Sequence, residues 1–311
     1  MHRFTMPSPE LSLSAQAAAI RTQLDSFMES DALKELLLLI SADCNTIKTK
    51  YNGRIGSDGR ILETQAIGSS DALESIRFEL HPLLKDLGFF DINEPLSEDH
   101  SRIIVLGGSL NVCRLRTEYA SGIISSHTVS VDGLTCYRPI NPVERRRSSY
   151  VSAAETEFGV LAESFADIFG LDSFEDEFES DRNLNSISCV RRFAGDAESC
   201  SYNLYAAPSS EPDIRRADTG DAFSFYLDRS DVSMDDSLLI LTSNRYCNRQ
   251  FIQLAYQLMK LGRSVFFDII GTSPKNDIPT PESYDPFQYI QDLIGILDWI
   301  DRFRSLHPSF G

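Results

Sequence analysis

The segment Ile103–Leu106 is the feature that most constrains how this chain can fold. It consists of four consecutive apolar residues, three of them β-branched, and it ends at the glycine pair Gly107 and Gly108. A short apolar run of this kind is typical of a strand that is buried on both faces, and such strands belong mainly to parallel sheets covered by helices. The sequence therefore predicts that a parallel sheet begins at Arg102.

The segments that follow this strand alternate between strand and helix patterns. The predicted strands are 128–133, 187–192, 238–241 and 265–270, and the predicted helices are 112–123, 154–169, 218–227, 248–261 and 286–303. The alternation predicts a Rossmann-like, doubly wound α/β domain over residues 101–311, in which strands 102–106, 128–133, 238–241 and 265–270 are neighbours in one mainly parallel sheet. Residues 1–100 carry apolar residues at helical spacing, which predicts a helical N-terminal region that packs on the α/β domain.

Three segments interrupt these patterns. Residues 138–152 contain three consecutive arginines, and we expect a mobile loop there. The acidic segment 172–181 is predicted to be a turn whose charges are solvated. The glycine-rich segment 51–59 is predicted to be a loop.

Charge and composition exclude several classes of protein. The chain has 29 Lys and Arg against 46 Asp and Glu, a net charge of −17, and this field disfavours nucleic-acid binding. No apolar run approaches the ~20 residues of a membrane-spanning helix, and the first thirty residues lack the apolar stretch of a secretion signal, so a cytoplasmic protein without membrane contact is expected. Six cysteines and five histidines are scattered without the spacing of ligand pairs, and no metal site is predicted.

The first candidate site residues follow the first strand. Ligands of open α/β sheets bind beyond the carboxyl ends of the strands. Gly107 and Gly108 permit close approach of a ligand to the backbone, and Ser109 begins a helix whose free N–H groups can bind an anion. Arg116 lies two turns into that helix. The alternative is a tight turn in which Ser109 or Asn111 only caps the helix.

Later loops supply further candidates: Arg138 before a proline, Glu157 at a helix start, and the polar turn with Thr242, Ser243 and Arg249. We expect Arg116, Arg138 and Arg249 to converge in one cleft that binds an anionic ligand. The alternative is that they are unrelated surface arginines, each paired with a nearby carboxylate. The chain lacks the G-x-S-x-G and G-x-x-x-x-G-K-[ST] patterns, which disfavours a serine triad and excludes an ordinary nucleoside triphosphatase.

Taken in order, these motifs resemble those of the YdcF/SanA/ElyC family. The matching residues are Val105–Gly108, Arg116 with Ala120, Thr156–Glu157, Asp218–Thr219 with Asp221–Ala222, and Thr242–Ser243 with Arg249, within residues 102–270. The resemblance implies a Rossmann-like nucleotide-binding fold and, through some members of the family, S-adenosylmethionine as a cofactor. Tyr246 stands where the family usually has histidine. If that histidine takes part in proton transfer, this chain has either lost the group or uses Tyr246, and a phenol is a poor base at neutral pH.

Two functions follow as hypotheses. The first is a small-molecule-binding α/β protein that recognises a phosphate- or carboxylate-bearing ligand, with or without a nucleoside, and acts as a hydrolase or transferase through positioning and electrostatics. Its site would combine the candidate residues above, with Glu157 accepting hydrogen bonds from ligand hydroxyl or amine groups. The second is a non-catalytic regulatory or protein-interaction module, in which the acidic surface and the helical N-terminal region bind a protein partner.

Overall fold

A computed structural model describes residues 2–51, 70–90, 94–180, 183–194, 200–272 and 278–306. Most of the glycine-rich segment 51–59 lies outside the described residues. None of the described helices combines the length and apolar character that a membrane crossing requires.

The described strands form one seven-stranded sheet. They are β1 Arg102–Leu106, β2 Ser130–Thr135, β3 Phe174–Glu179, β4 Ser188–Phe193, β5 Ser201–Ala206, β6 Ser237–Thr242 and β7 Phe266–Gly271, in the spatial order β3-β4-β5-β2-β1-β6-β7. Strands β5, β2, β1, β6 and β7 are parallel to one another. At one edge β4 pairs antiparallel with β5, and β3 pairs antiparallel with β4. The prediction of an α/β protein whose strands β1, β2, β6 and β7 are neighbours in a mainly parallel sheet is confirmed.

Eleven helices are present in the described part of the chain. They are α1 Leu13–Met28, α2 Asp31–Leu39, α3 Thr46–Lys50, α4 Asp71–Glu74, α5 Arg77–Asp86, α6 Leu110–Ile123, α7 Pro142–Arg147, α8 Glu157–Phe169, α9 Thr219–Arg229, α10 Cys247–Lys260 and α11 Pro286–Arg304. The chain forms two compact units. The sheet unit comprises residues 94–242 and 265–272, and the helical unit comprises residues 1–93, 243–264 and 273–311.

The sheet unit is covered by helices on both faces of the sheet. On one face α6 and α8 pack together over Ile103, Val105 and Leu204. Gly133 in β2 permits this close packing, because a Cβ atom there would lie 2.9 Å from a methyl group of Leu161 in α8. Side chains alternate across a strand, so Asp132 points to the opposite face, where it accepts a hydrogen bond of 2.8 Å from the hydroxyl of Tyr226 in α9.

The helical unit brings residues 2–51 and 70–90 together with α10 and α11. The ring of Phe4 lies 5.8 Å from that of Phe251 in α10, and Phe89 lies 5.8 Å from Tyr289 in α11. The amide of Gln16 in α1 donates a hydrogen bond of 2.6 Å to the hydroxyl of Ser264. The predicted regions 1–100 and 101–311 therefore do not coincide with the two compact units, because α10 and α11 are grouped with the N-terminal helices.

Two segments differ from their predicted structure. The acidic segment 172–181 is not a turn over its described residues 172–180: it contains β3, in which Asp176 is bonded to Arg191 at 2.7 Å and Glu177 to Arg229 at 2.9 Å. The predicted loop 138–152 contains α7, which begins with Asn141 as its N-cap and proline as its first residue.

Candidate functional site

The turn after β1 begins with a glycine that permits two neighbouring side chains to approach the backbone. The N–H of Gly107 donates a hydrogen bond of 2.7 Å to the carbonyl of Leu134 in β2. A Cβ atom at position 107 would collide with Oε1 of Glu157 and would lie 2.8 Å from Oγ1 of Thr135. Glycine is therefore required here so that the carboxylate of Glu157 can lie directly against the end of β1.

Glu157 stands at the first position of α8, where its carboxylate is bonded to two other elements. Thr135, the last residue of β2, donates a hydrogen bond of 2.8 Å to Oε1, and Nε of Arg138 donates one of 2.8 Å to Oε2. A carboxylate at a helix N-terminus also interacts favourably with the helix dipole. The burial of this carboxylate is thus compensated by three favourable interactions.

Arg138 links Glu157 to a second buried carboxylate. Its Nη1 and Nη2 donate hydrogen bonds of 2.9 Å and 3.3 Å to the two oxygens of Glu144 in α7, and Nη2 also donates one of 3.2 Å to the carbonyl of Gly108. The side chains of Arg138, Glu144 and Glu157 are only 9%, 2% and 9% exposed. One buried cation therefore lies between two buried anions, and we call these three residues the ion triad.

The surroundings shift the pKa of Arg138 and of two neighbouring thiols upward. Burial alone would lower the pKa of Arg138, but the adjacent Glu157 and Glu144 hold this pKa above its usual value. Burial, assisted by the negative charge of Glu157, raises the pKa of Cys113 to about 12 and that of Cys136 to about 11. Both thiols are uncharged at neutral pH, so neither provides the thiolate that nucleophilic attack requires.

Arg116 is buried in the same region, where it holds the carboxyl end of β1. Its Nη1 donates hydrogen bonds of 2.5 Å to the carbonyl of Leu106 and 2.7 Å to that of Gly107, and Nη2 donates one of 3.4 Å to Oγ1 of Thr242 at the end of β6. These bonds connect two adjacent strand ends through one planar guanidinium group. The role of Arg116 in the described structure is to position this loop.

Ser109 occupies the N-cap position of α6, but its side chain makes no capping hydrogen bond. Asn111 does not cap the helix either, because its Oδ1 accepts hydrogen bonds of 2.7 Å from the hydroxyl of Ser148 and 3.0 Å from the N–H of Tyr150. Helix capping therefore does not account for Ser109.

Ser243 and Arg249 belong to the helical unit. Nη1 of Arg249 donates a hydrogen bond of 3.1 Å to the buried carboxylate of Asp292, which Arg245 also approaches to 3.3 Å. Ser243 begins the short 3-10 turn 244–246 without a side-chain cap. Arg138 and Arg249 are thus largely buried, and each is paired with a buried carboxylate.

The described structure brings six predicted residues of the sheet unit together at the carboxyl ends of β1, β2 and β6. They are Gly107, Gly108, Arg116, Arg138, Glu157 and Thr242. Thr135 and Glu144 were not among the residues predicted from the sequence. The signal for Glu144 was the Asn-Pro pair at 141–142, which is typical of a helix start and places this glutamate in the first turn.

Among the described residues, no three His, Cys, Asp or Glu side chains are grouped so that they could hold a metal ion.

Comparison with known proteins gives few relatives. No protein-family model matches the chain, and no solved structure matches it significantly. A protein of Mycobacterium bovis named Uncharacterized protein Mb3814 and one of Mycobacterium tuberculosis named Uncharacterized protein Rv3785 are each 32% identical to it over 155 residues. The matched segment covers 47% of this chain and 42% of each relative, so the chain spans less than half the length of these curated relatives.

Proposed function

We propose that the sheet unit is a Rossmann-like module that binds a small anionic molecule at the carboxyl ends of β1 and β2. The observation that carries this proposal is the ion triad. Burying an ion costs several kcal/mol before it is paired, and a buried ion pair often stabilises a fold no better than apolar residues of the same volume. Three buried charges at the sheet edge where such folds bind ligands therefore favour a role beyond folding.

The strand order supports the Rossmann-like part of the proposal. Numbered in chain order, the five parallel strands lie as 3-2-1-4-5 across the sheet. Doubly wound nucleotide-binding sheets have this order, and their ligand lies where the order reverses, next to the first strand. Gly107 and Gly108 directly follow that strand. The YdcF-like resemblance and S-adenosylmethionine as a ligand are part of this proposal.

The contacts of the two arginines refine how the ligand would bind. Arg138 is balanced by two carboxylates, and Nη1 and Nη2 of Arg116 already donate to two backbone carbonyls and to Thr242, so neither guanidinium group is assigned to the anion. The anionic group is instead assigned to the backbone N–H groups at the start of α6 and to the hydroxyl of Ser109. Glu157, oriented by Thr135 and Arg138, accepts a hydrogen bond from a ligand hydroxyl or amine group. Hydrolase or transferase activity would then depend on positioning of the substrate.

A protein-interaction module is the second candidate, and the edge strand β3 favours it. All six residues of β3 are exposed, including the aromatic rings of Phe174 and Phe178, which are 49% and 50% exposed. An edge strand can pair with an extended segment of another protein. This function needs no small molecule.

Thermal unfolding in the presence of S-adenosylmethionine, ADP or glucose 6-phosphate tests the small-molecule proposal. A ligand at 100 times its dissociation constant stabilises the folded state by about 2.7 kcal/mol, which raises the melting temperature measurably. Glu157→Gln should abolish most of this increase, whereas Glu155→Gln, at an exposed position two residues earlier, should preserve it. Equal increases in both variants would remove Glu157 from the site, and no increase with any of the three compounds would count against the proposal.

A further inference from the structure

Strand β3 ends the sheet on one side, and its outer edge has no neighbouring strand among the described residues. The N–H of Ala194 donates a hydrogen bond of 2.9 Å to the carbonyl of Ser173, directly before β3. Hydrogen-bonded and non-bonded pairs alternate along an antiparallel ladder, so the backbone groups of Phe174, Asp176 and Phe178 point away from β4. These three residues can therefore offer N–H and carbonyl groups to a further strand.

One face of β3 at this edge is apolar. The ring of Phe178 lies 5.7 Å from that of Tyr137, and the guanidinium group of Arg191 lies 3.5 Å from the ring centre of Phe174. Tyr137 and Arg191 also contact the ring of Phe158 in α8, which places both β3 rings on the α8 side of the sheet. The rings remain half exposed, and apolar side chains of an added strand would cover them.

The opposite face of β3 is acidic. Glu175, Glu177 and Glu179 alternate with the aromatic residues along the strand, so they lie on the other side of the sheet. Arg229 of α9 is 2.9 Å from Glu177 and 3.4 Å from Glu179. Arg192 of β4 is 3.4 Å from Glu177, and Glu175 is exposed without an ion pair among the described residues. Three carboxylates thus face two arginines, and this row keeps a negative charge.

A second copy of the chain is a poor occupant of this edge. Two β3 strands related by a two-fold axis keep their faces aligned only in registers that set glutamate opposite glutamate, such as Glu175 opposite Glu177. Like charges directly opposite each other destabilise a strand pair. Charged side chains often protect an edge strand from self-association in this way, but protection alone does not require two exposed aromatic rings. The combination favours a different partner.

We propose that the outer edge of β3 binds an extended segment of another protein in which apolar and basic side chains alternate. The apolar side chains lie beside Phe174 and Phe178, and the basic side chains lie beside the three glutamates. The alternation follows because successive side chains of a strand point to opposite faces of the sheet. This inference rests on the protein-interaction candidate above and adds the chemistry of the partner.

Three synthetic peptides test the proposed chemistry. The first alternates Lys with Val, the second has the same composition but alternates Lys-Lys with Val-Val, and the third alternates Glu with Val. Their dissociation constants are measured by calorimetry with the full chain. The alternating Lys and Val peptide should bind at least about tenfold more tightly than either of the other two, because only it matches both faces of β3.

A proline at position 176 tests whether the peptide binds at the edge. Asp176→Pro removes an N–H group that points outward and leaves the hydrogen bonds between β3 and β4 in place. Asp176→Ala is the matched control, because it also loses the carboxylate bonded to Arg191 but keeps the N–H group. The proline variant should bind the alternating Lys and Val peptide at least about tenfold more weakly than the alanine variant. Equal affinities would overturn the proposal.

A charge reversal keeps the test valid if Asp176→Pro does not fold. Glu175→Lys should weaken binding of the alternating Lys and Val peptide at least about fivefold and strengthen binding of the Glu and Val peptide. Glu155→Lys makes the same change of charge at another exposed position of the sheet unit and should leave both affinities unchanged. Equal effects of the two exchanges would overturn the proposal.

The remaining outcomes separate this inference from the interaction function itself. Binding that is sensitive to proline but shows no preference among the three peptides would overturn the proposed chemistry and keep β3 as an interaction edge. No binding of any peptide would count against both. A dimer of the full chain that Asp176→Pro dissociates would identify a second copy as the occupant and overturn the proposal.

Discussion

Arg138 is the residue on which the charge balance of the candidate site depends. Arg138→Met would leave the buried carboxylates of Glu144 and Glu157 without a cation. We expect the free energy of unfolding to fall by about 3–5 kcal/mol, the loss typical of breaking a buried ion pair. Arg146→Met, at an exposed position in α7, should change it by under about 0.5 kcal/mol. Urea unfolding of the two variants measures both values, and similar losses would show that the triad contributes little to stability.

His100 should make stability depend on pH. Burial lowers the pKa of His100 below its usual value of 6.5, against the opposing influence of Asp268 and Asp99. Below about pH 6.5 the unfolded chain therefore binds a proton that the folded chain does not. The resulting stability is present above pH ~6.5 and is lost as the pH falls through the folded-state pKa.

Melting temperatures measured between pH ~7.5 and ~5.5 check this expectation. His100→Gln should show a smaller decrease on acidification than the natural chain, whereas His127→Gln, at an exposed position, should show the same decrease as the natural chain. If both variants lose stability with the natural pH dependence, His100 does not control it.

Local sequence identified some residues of the site but could not identify their partners. Gly107, Arg138 and Glu157 follow predicted strands or begin helices, and the rule that loops at the carboxyl edge meet was enough to group them. The partner of Arg138 in α7 could not be inferred in the same way. Glu144 lies in a segment of successive arginines that is typical of a solvated surface, and its burial depends on where the tertiary fold places α7.

At the scale of elements, alanine should change the free energy of unfolding in opposite directions at two glycines, one just before α6 and one near its end. Gly107→Ala places a methyl group against Glu157 and Thr135 and should destabilise the fold by about 1–3 kcal/mol. At Gly122, inside α6, an added Cβ atom meets no atom within 4 Å among those described. Gly122→Ala should therefore stabilise by about 0.5–1 kcal/mol through helix propensity. Denaturant unfolding measures the change in the free energy of unfolding for both variants. No change in Gly107→Ala would show that the contact with Glu157 is not tight.

The predictability of each strand follows from its burial. Strands β1 and β6 are buried along nearly their whole length and appear in the sequence as continuous apolar runs. Strand β5 was missed because it begins with exposed and half-buried polar residues, one of which, Asn203, donates a hydrogen bond to Asp132 of β2. Strand β3 was missed because the arginines bonded to it come from β4 and α9, and no pattern within β3 reveals that pairing.

At the scale of the whole molecule, the helical unit is assembled from three separate stretches of the chain. Removal of residues 1–93 should leave apolar side chains of α10 and α11 without the rings of Phe4 and Phe89. We expect the fragment 94–311 to melt at a lower temperature than the full chain and to aggregate, as followed by thermal unfolding and light scattering. Addition of the separate 1–93 segment should restore part of the loss. A monomeric fragment with unchanged melting would show that this packing is negligible.

The same three-part assembly sets an order of events during protein synthesis. Helix α5 ends at Asp86, and α10, against which the N-terminal segment packs, begins only at Cys247. At about 5–20 residues per second, the ribosome needs roughly 8 to 30 s to make the intervening chain. Throughout that interval Phe4 lacks its partner in α10, and α1 lacks its partner α11. The nascent chain therefore has a long period in which chaperone binding to its N-terminal helices would prevent aggregation.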